Sequence, residues 1–212
     1  MKRSIFFLAF LALVFSCNSD DSSQLQPESV NNFYALKVGN EWVYKNYKYN
    51  SNTELYEDTG VVDSISIIGT EVINGETYFK FKTKTTGNEE GITFCNPNGE
   101  YFEYLREFEG NLISDEGKVK FTNSDYTERI LNSDPDLSLR EILVEGETEL
   151  NVEAGIFTCI NSERYLISNG EVTPARDKFY YADGFGLIYD TSSWASEETP
   201  TIIRRLDSYV VQ

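Results

Sequence analysis

The stretch GVVDSISIIGTEVINGETYFKFKTKTTG, residues 60–87, decides the fold class. Val62, Ser64, Ser66 and Ile68 fall on one side of an extended chain, and Val61, Asp63, Ile65 and Ile67 on the other. Successive side chains of a strand point to opposite faces, so a strand is expected here. Asn74-Gly75 is the strongest short hairpin signal between two such runs. Beyond it, Tyr78, Lys80, Lys82 and Lys84 alternate with Phe79, Phe81, Thr83 and Thr85, a second strand with a lysine-bearing face. The pair reads as one antiparallel hairpin.

The pattern extends in both directions. Trp42 and Tyr44 follow the Gly39-Asn40 turn on an extended run. Asn96-Pro97-Asn98-Gly99 is a turn by composition, and Tyr101, Glu103 and Leu105 then alternate with Phe102, Tyr104 and Arg106. Short strands are expected around Leu112 and from Val119 to Phe121, then in ETELNVEAGIFTCINSERYLI, DKFYYADGFGLIYD and TIIRRLDSYVV. Thr122 to Ile142, interrupted by Asp134-Pro135-Asp136, holds no apolar face and reads as a long loop with at most one helical turn. Tyrosine and phenylalanine number 14 each, and the one methionine is Met1, so the core rests on aromatic and β-branched residues. No long helical periodicity follows the first residues, which disfavours a parallel sheet with crossover helices. Short, turn-bounded runs predict an all-β domain with little helix: a sandwich, a barrel or a curved sheet.

Charge and chemistry exclude more than they assign. A net charge of −17 opposes nucleic acid, which demands basic patches. The chain holds no histidine and no nucleophile elbow, so no enzyme, catalytic residue or cofactor is expected. The Gly184-Phe185-Gly186 pair lacks the third glycine and βαβ setting of a nucleotide loop. Asn132 to Ser138 places oxygen ligands at alternate positions. An EF-hand needs glycine where Leu137 stands and glutamate where Leu143 stands, so a solvated acidic loop is expected there and no metal. Cys95 and Cys159 either close a disulfide loop of about 65 residues, worth about 4 kcal/mol in the chain-entropy model, or remain separate buried thiols. Two sulfurs without histidine do not make a zinc site. Burial is the default for Trp42, Tyr44, Phe79, Phe81, Phe102 and Phe157. Trp194, among the polar residues TSSWASEE, is the candidate exposed aromatic for contacting a ligand.

The first residues supply an address. Lys2 and Arg3 precede an apolar run from Ile5 to Phe15, shorter than the roughly 20 residues of a bilayer span. That is the layout of a secretory signal peptide. Val14-Phe15-Ser16-Cys17 resembles the bacterial lipobox, which implies cleavage before Cys17 and lipidation of it. Several acyl chains on one cysteine give stable anchoring. Asn18, Ser19, Asp20 and Asp21 resemble the export tag of surface lipoproteins of Bacteroidota, or serve as a solvated tether. The expected organisation is a leader over 1–16, a flexible acidic tether over 17–32 and one β domain over 33–212. The expected location is the outer membrane, on the cell surface, with the periplasmic face as the alternative.

Three segments carry a further resemblance. FYALKVGNEWVY, NVEAGIFTCINSERY and KFYYADGFGLIYD together resemble Bacteroidota lipoproteins and DUF3108-like domains of exported proteins. The resemblance implies one strongly curved antiparallel sheet, a half-barrel or open barrel similar to the lipoprotein carriers (LolA/LolB-like), whose concave side encloses something apolar. It brings no catalytic residues. The expected role is non-catalytic binding of an apolar or amphiphilic ligand or a partner protein, by a monomer. The alternatives are a glycan-binding accessory lipoprotein of a polysaccharide uptake system and a structural envelope protein without a ligand. Outward aromatic platforms would favour glycan; an apolar cavity would favour lipid.

Overall fold

The structure is a computed structural model, and it describes residues 32–212. The leader, Cys17, the Asn18–Asp21 segment and the tether up to residue 31 lie outside the described residues. In chain order the first six strands are β1 (Glu41–Asn50), β2 (Leu55–Ile73), β3 (Glu76–Thr86), β4 (Gly99–Phe108), β5 (Asn111–Ser114) and β6 (Val119–Thr122). The next four are β7 (Arg129–Asp134), β8 (Leu137–Leu143), β9 (Thr148–Val152) and β10 (Gly155–Ser168). The last four are β11 (Glu171–Val172), β12 (Asp177–Ala182), β13 (Gly186–Ser192) and β14 (Ile202–Val210). The described residues contain no helix.

All pairings are antiparallel, in the order β6-β5-β4-β3-β2-β1-β14-β13-β12-β10-β8-β7, with β9 and β11 added on β10. Two meanders thus meet where the first strand pairs the last, Tyr44 opposite Leu206 and Lys45 opposite Arg205. The outermost strands of the path, β6 and β7, are neighbours in sequence. Only residues 123–128 join them, a span on the order of 20 Å when extended. So short a link between the ends of so wide a sheet forces the sheet to curl. The curl brings β6 across to β12, where the Phe121 and Tyr181 ring centroids are 4.0 Å apart. β6 and β7 are not paired with each other, so the sheet is strongly curved and not closed. Bulges at Val43/Tyr44, Ile67/Gly69 and Tyr180/Tyr181 add local bend and twist.

Turn chemistry sets the register. Asn74-Gly75, Glu109-Gly110 and Asn169-Gly170 each place both residues at positive φ, as two-residue hairpin turns that match strand twist do. Gly87 is fixed by space as well as by conformation. At φ +85, a Cβ there would lie 2.1 Å from the Gly60 carbonyl oxygen. The core runs along the inner face, with Val61, Ile67, Phe121, Ile188 and Leu206 fully buried.

One expectation is corrected and one open alternative is decided. Thr122–Ile142 is no loop with a helical turn: it holds the β7–β8 hairpin, Asp134 opposite Leu137 and Arg129 opposite Glu141. Its inward side chains include Arg129 and Glu141, so no apolar alternation marks it in the sequence. Cys95 and Cys159 are free thiols, not a disulfide. Cys159 is buried on β10 against the Phe157 carbonyl, while Cys95 lies in the β3–β4 loop, and burial pushes the two thiols up to about 12 and about 11.

Candidate functional site

The curled sheet encloses a cavity of about 330 Å³, within the ordinary size of small-molecule sites. Its apolar wall is made by Trp42, Tyr44, Phe81, Leu105, Phe179 and Tyr181. Alternation along β1 turns Trp42, Tyr44 and Asn46 to this side. Trp42 Nε1 donates to the Phe185 carbonyl at 2.8 Å, and Tyr44 Oη donates to the Leu187 carbonyl at 2.7 Å. Each ring therefore spends its polar atom on β13 or the turn before it and offers carbon to the cavity. The Phe81 ring stacks at 14° to Trp42, with centroids 6.3 Å apart. Burial drives the Tyr44 and Tyr181 hydroxyls far above the ordinary phenol range, so both stay neutral. At the β1 N-terminal end, Tyr34 packs edge-on against Tyr181 and donates its hydroxyl to the Gly110 carbonyl.

A second chamber of about 260 Å³ adjoins the first and shares Asn96, Asp190 and Arg204 with it. Asn46, Asp63 and Phe94 complete its principal lining. Asp63, 2 % exposed, accepts from Thr85 Oγ1 and, at 3.1 Å, from Asn46 Nδ2. Arg204 sets two nitrogens on the Asp190 carboxylate, one of them Nε at 3.0 Å, and a third 3.5 Å from Asp63. Its guanidinium also lies 5.1 Å from the Tyr44 ring centroid. Burial opposes the charge on Arg204, but the Asp190 and Asp63 carboxylates outweigh it and hold the guanidinium protonated. Buried charges persist only when paired in this way.

A further buried carboxylate braces the charged wall. Glu141 on β8 is fully buried and pairs with both Arg129 and Arg164, the latter through Nε at 3.1 Å and Nη2 at 2.8 Å. Arg164 lies over the Phe179 ring at 4.4 Å and reaches the cavity. Lys120 and Glu103, also at the cavity, pair at 3.0 Å.

Trp194 is 51 % exposed, as expected, and meets Phe94 edge-on at 4.8 Å between centroids. The pair joins the β3–β4 and β13–β14 loops at the rim of the polar chamber. Trp42, Tyr44, Phe81 and Phe157 are buried and Phe79 is partly buried. Phe102 is a correction: it is 52 % exposed, because β4 alternation turns it outward beneath Lys80. Asn132–Ser138 is no loop but the tip of the β7–β8 hairpin, with Pro135-Asp136 as its turn, and among the described residues no cluster of three or more histidines, cysteines or carboxylates is placed to hold a metal. Asp190, Arg204, Glu141, Arg129 and Arg164 were not legible as site residues. Asp63 alone left a signal, as a carboxylate among Val61, Ile65 and Ile67 on one strand face.

No protein-family model matches the chain, and no curated protein matches it in sequence. Among solved structures it is similar to a Bacteroides fragilis protein described as exported and of YmcC-like fold. The identity is 10% over 84% of this chain and 98% of that one, with a TM-score of 0.51. A Parabacteroides distasonis protein described as a lipoprotein aligns at 12% identity over the same shares, with a TM-score of 0.41. The first likeness shows a fold of the YmcC-like kind. The resemblance to DUF3108-like and LolA/LolB-like domains finds no support beside it.

Proposed function

We propose that this chain is a non-catalytic envelope lipoprotein, anchored to a membrane through Cys17, that holds an amphiphilic ligand inside its curled sheet. The cavity carries the reading: an aromatic wall in which Trp42 and Tyr44 have already bonded their polar atoms, opening onto a second chamber of paired charges. Apolar surface so placed gains by covering an acyl chain. The lipobox-like Val14–Cys17, the description of the Bacteroides fragilis structure as exported and the acidic segment after Cys17 support an envelope location, with the outer membrane and the cell surface as the expected place.

Native mass spectrometry of the chain from Asn18 onward, purified without detergent, tests the ligand. A bound mass in the lipid range that is lost on organic extraction is expected; a clean apo mass on every preparation contradicts the reading. Palmitate labelling that disappears in Cys17→Ser tests the anchor, and protease shaving of intact cells tests the surface location. A second reading, glycan binding, is favoured by the exposed Trp194–Phe94 pair at the rim.

A further inference from the structure

We infer that the ligand's head group is a neutral sugar, so that the site takes a glycosyl amphiphile with its chain in the aromatic chamber and its sugar in the polar one. The inference rests on the amphiphile reading and deepens it. Three observations carry it.

The first is continuity. The two chambers share Asn96, Asp190 and Arg204, so one molecule can occupy both.

The second is charge. Among the described residues, every cation facing the cavity is already engaged: Arg204 with Asp190 and Asp63, Arg164 with Glu141, and Lys120 with Glu103. A carboxylate or phosphate head at Arg204, in the polar chamber, would have to break one of its buried pairs and leave the displaced carboxylate uncompensated. The polar chamber sets Asp63 and Asp190 against Arg204 alone, so it repels an anion. Its carboxylate oxygens, with Asn46, Asn96, Thr191 and Ser192 beside them, suit a head that both donates and accepts hydrogen bonds without charge.

The third is the rim. Phe94 lines the polar chamber, and Trp194 supports it from the neighbouring loop. Sugar rings present C–H faces that stack on such aromatics. Phe94 also sits at φ +68, where a bulky side chain is an outlier. Strain of that kind is kept where the surrounding structure over-determines it, as at ligand sites.

Isothermal titration of the chain from Asn18 onward with four probes tests this: n-dodecyl maltoside below its micelle concentration, dodecanoate, dodecyltrimethylammonium and maltose. The maltoside is expected to bind about tenfold or more tighter than either charged amphiphile, and far tighter than maltose. Trp194→Ala and Phe94→Ala are expected to weaken the maltoside about tenfold and to leave dodecanoate and dodecyltrimethylammonium binding unchanged. Trp194 is exposed, so its removal spares the fold. Equal or tighter binding of dodecanoate or dodecyltrimethylammonium overturns the sugar head while keeping the amphiphile. An unchanged maltoside affinity in both variants overturns the rim's role. Failure of every dodecyl probe removes the cavity reading itself, and the inference with it.

Discussion

The two walls of the cavity are built on different physics. The wall from β1 to β5 is mainly apolar, with Trp42, Tyr44, Ile65, Phe81 and Leu105 turned inward and Asn46, Asp63 and Glu103 as its polar exceptions. The wall from β7 through β14 adds Phe179 and Tyr181 but also carries Arg164, Asp190 and Arg204 to the cavity, with Arg129 and Glu141 behind them, each charge held by an opposite one. The first is stabilised by area removed from water, which is non-directional. The second depends on completeness of pairing, because one missing partner strands a buried charge. An amphiphile fits between walls that differ in this way.

Removing one charge should break the contrast most sharply. Glu141→Leu leaves Arg129 and Arg164 without their shared carboxylate and should cost about 3–5 kcal/mol in urea unfolding. Replacing all three residues together, Arg129→Met, Glu141→Leu and Arg164→Met, should recover most of that loss, since an apolar triad of similar volume is close to neutral. A triple variant as unstable as the single one would mean that the wall is not governed by pairing.

On the apolar wall, Leu105→Ala should cost about 2 kcal/mol, the low end for such truncations, because Leu105 already fronts a cavity. Its effect should be independent of pH between 5 and 8.

Asp177, at the start of β12, sharpens the comparison further. Burial raises its carboxyl above the usual aspartate range, while the nearby Arg164 charge pulls the other way. The folded state then holds the proton more tightly than the unfolded one. Stability is lost as pH rises from the unfolded value through the raised one. Asp177→Asn should therefore be more stable than the parent at pH 7, with the gain shrinking as pH falls through that window. Thermal melts at pH 7 and pH 4 measure it, and an equal gain at both contradicts the assignment.

The smallest effect concerns the thiols. In a Cys17→Ser chain, Cys95 and Cys159 should both be free, reacting slowly with a thiol reagent at pH 8 and fully in urea. Two thiols unreactive in urea until reduced would restore the disulfide.

The walls also differ in what their sequences disclose. Residues 60–87 show the β2–β3 hairpin because apolar residues mark the buried face and Asn74-Gly75 marks the turn. β7 and β8 carry no such mark: Arg129 and Glu141 turn inward where an apolar residue would announce a buried face. Alternation alone likewise could not say that Phe102 faces out, since both faces of β4 bear aromatics. The curl was legible only as a resemblance, whereas its physical cause is the adjacency of β6 and β7 in sequence. Trp194 was legible from its polar neighbours, but its partner Phe94 was not, because that contact joins two loops.

The most direct test places the ligand relative to the apolar wall. In a Trp194→Phe chain, Trp42 is the sole tryptophan, 4 % exposed and lining the cavity. Titration with a dodecyl maltoside brominated along its chain should quench its fluorescence saturably, with the unbrominated compound reversing the quench. Binding seen by calorimetry without quenching of Trp42 would put the chain elsewhere and contradict the account.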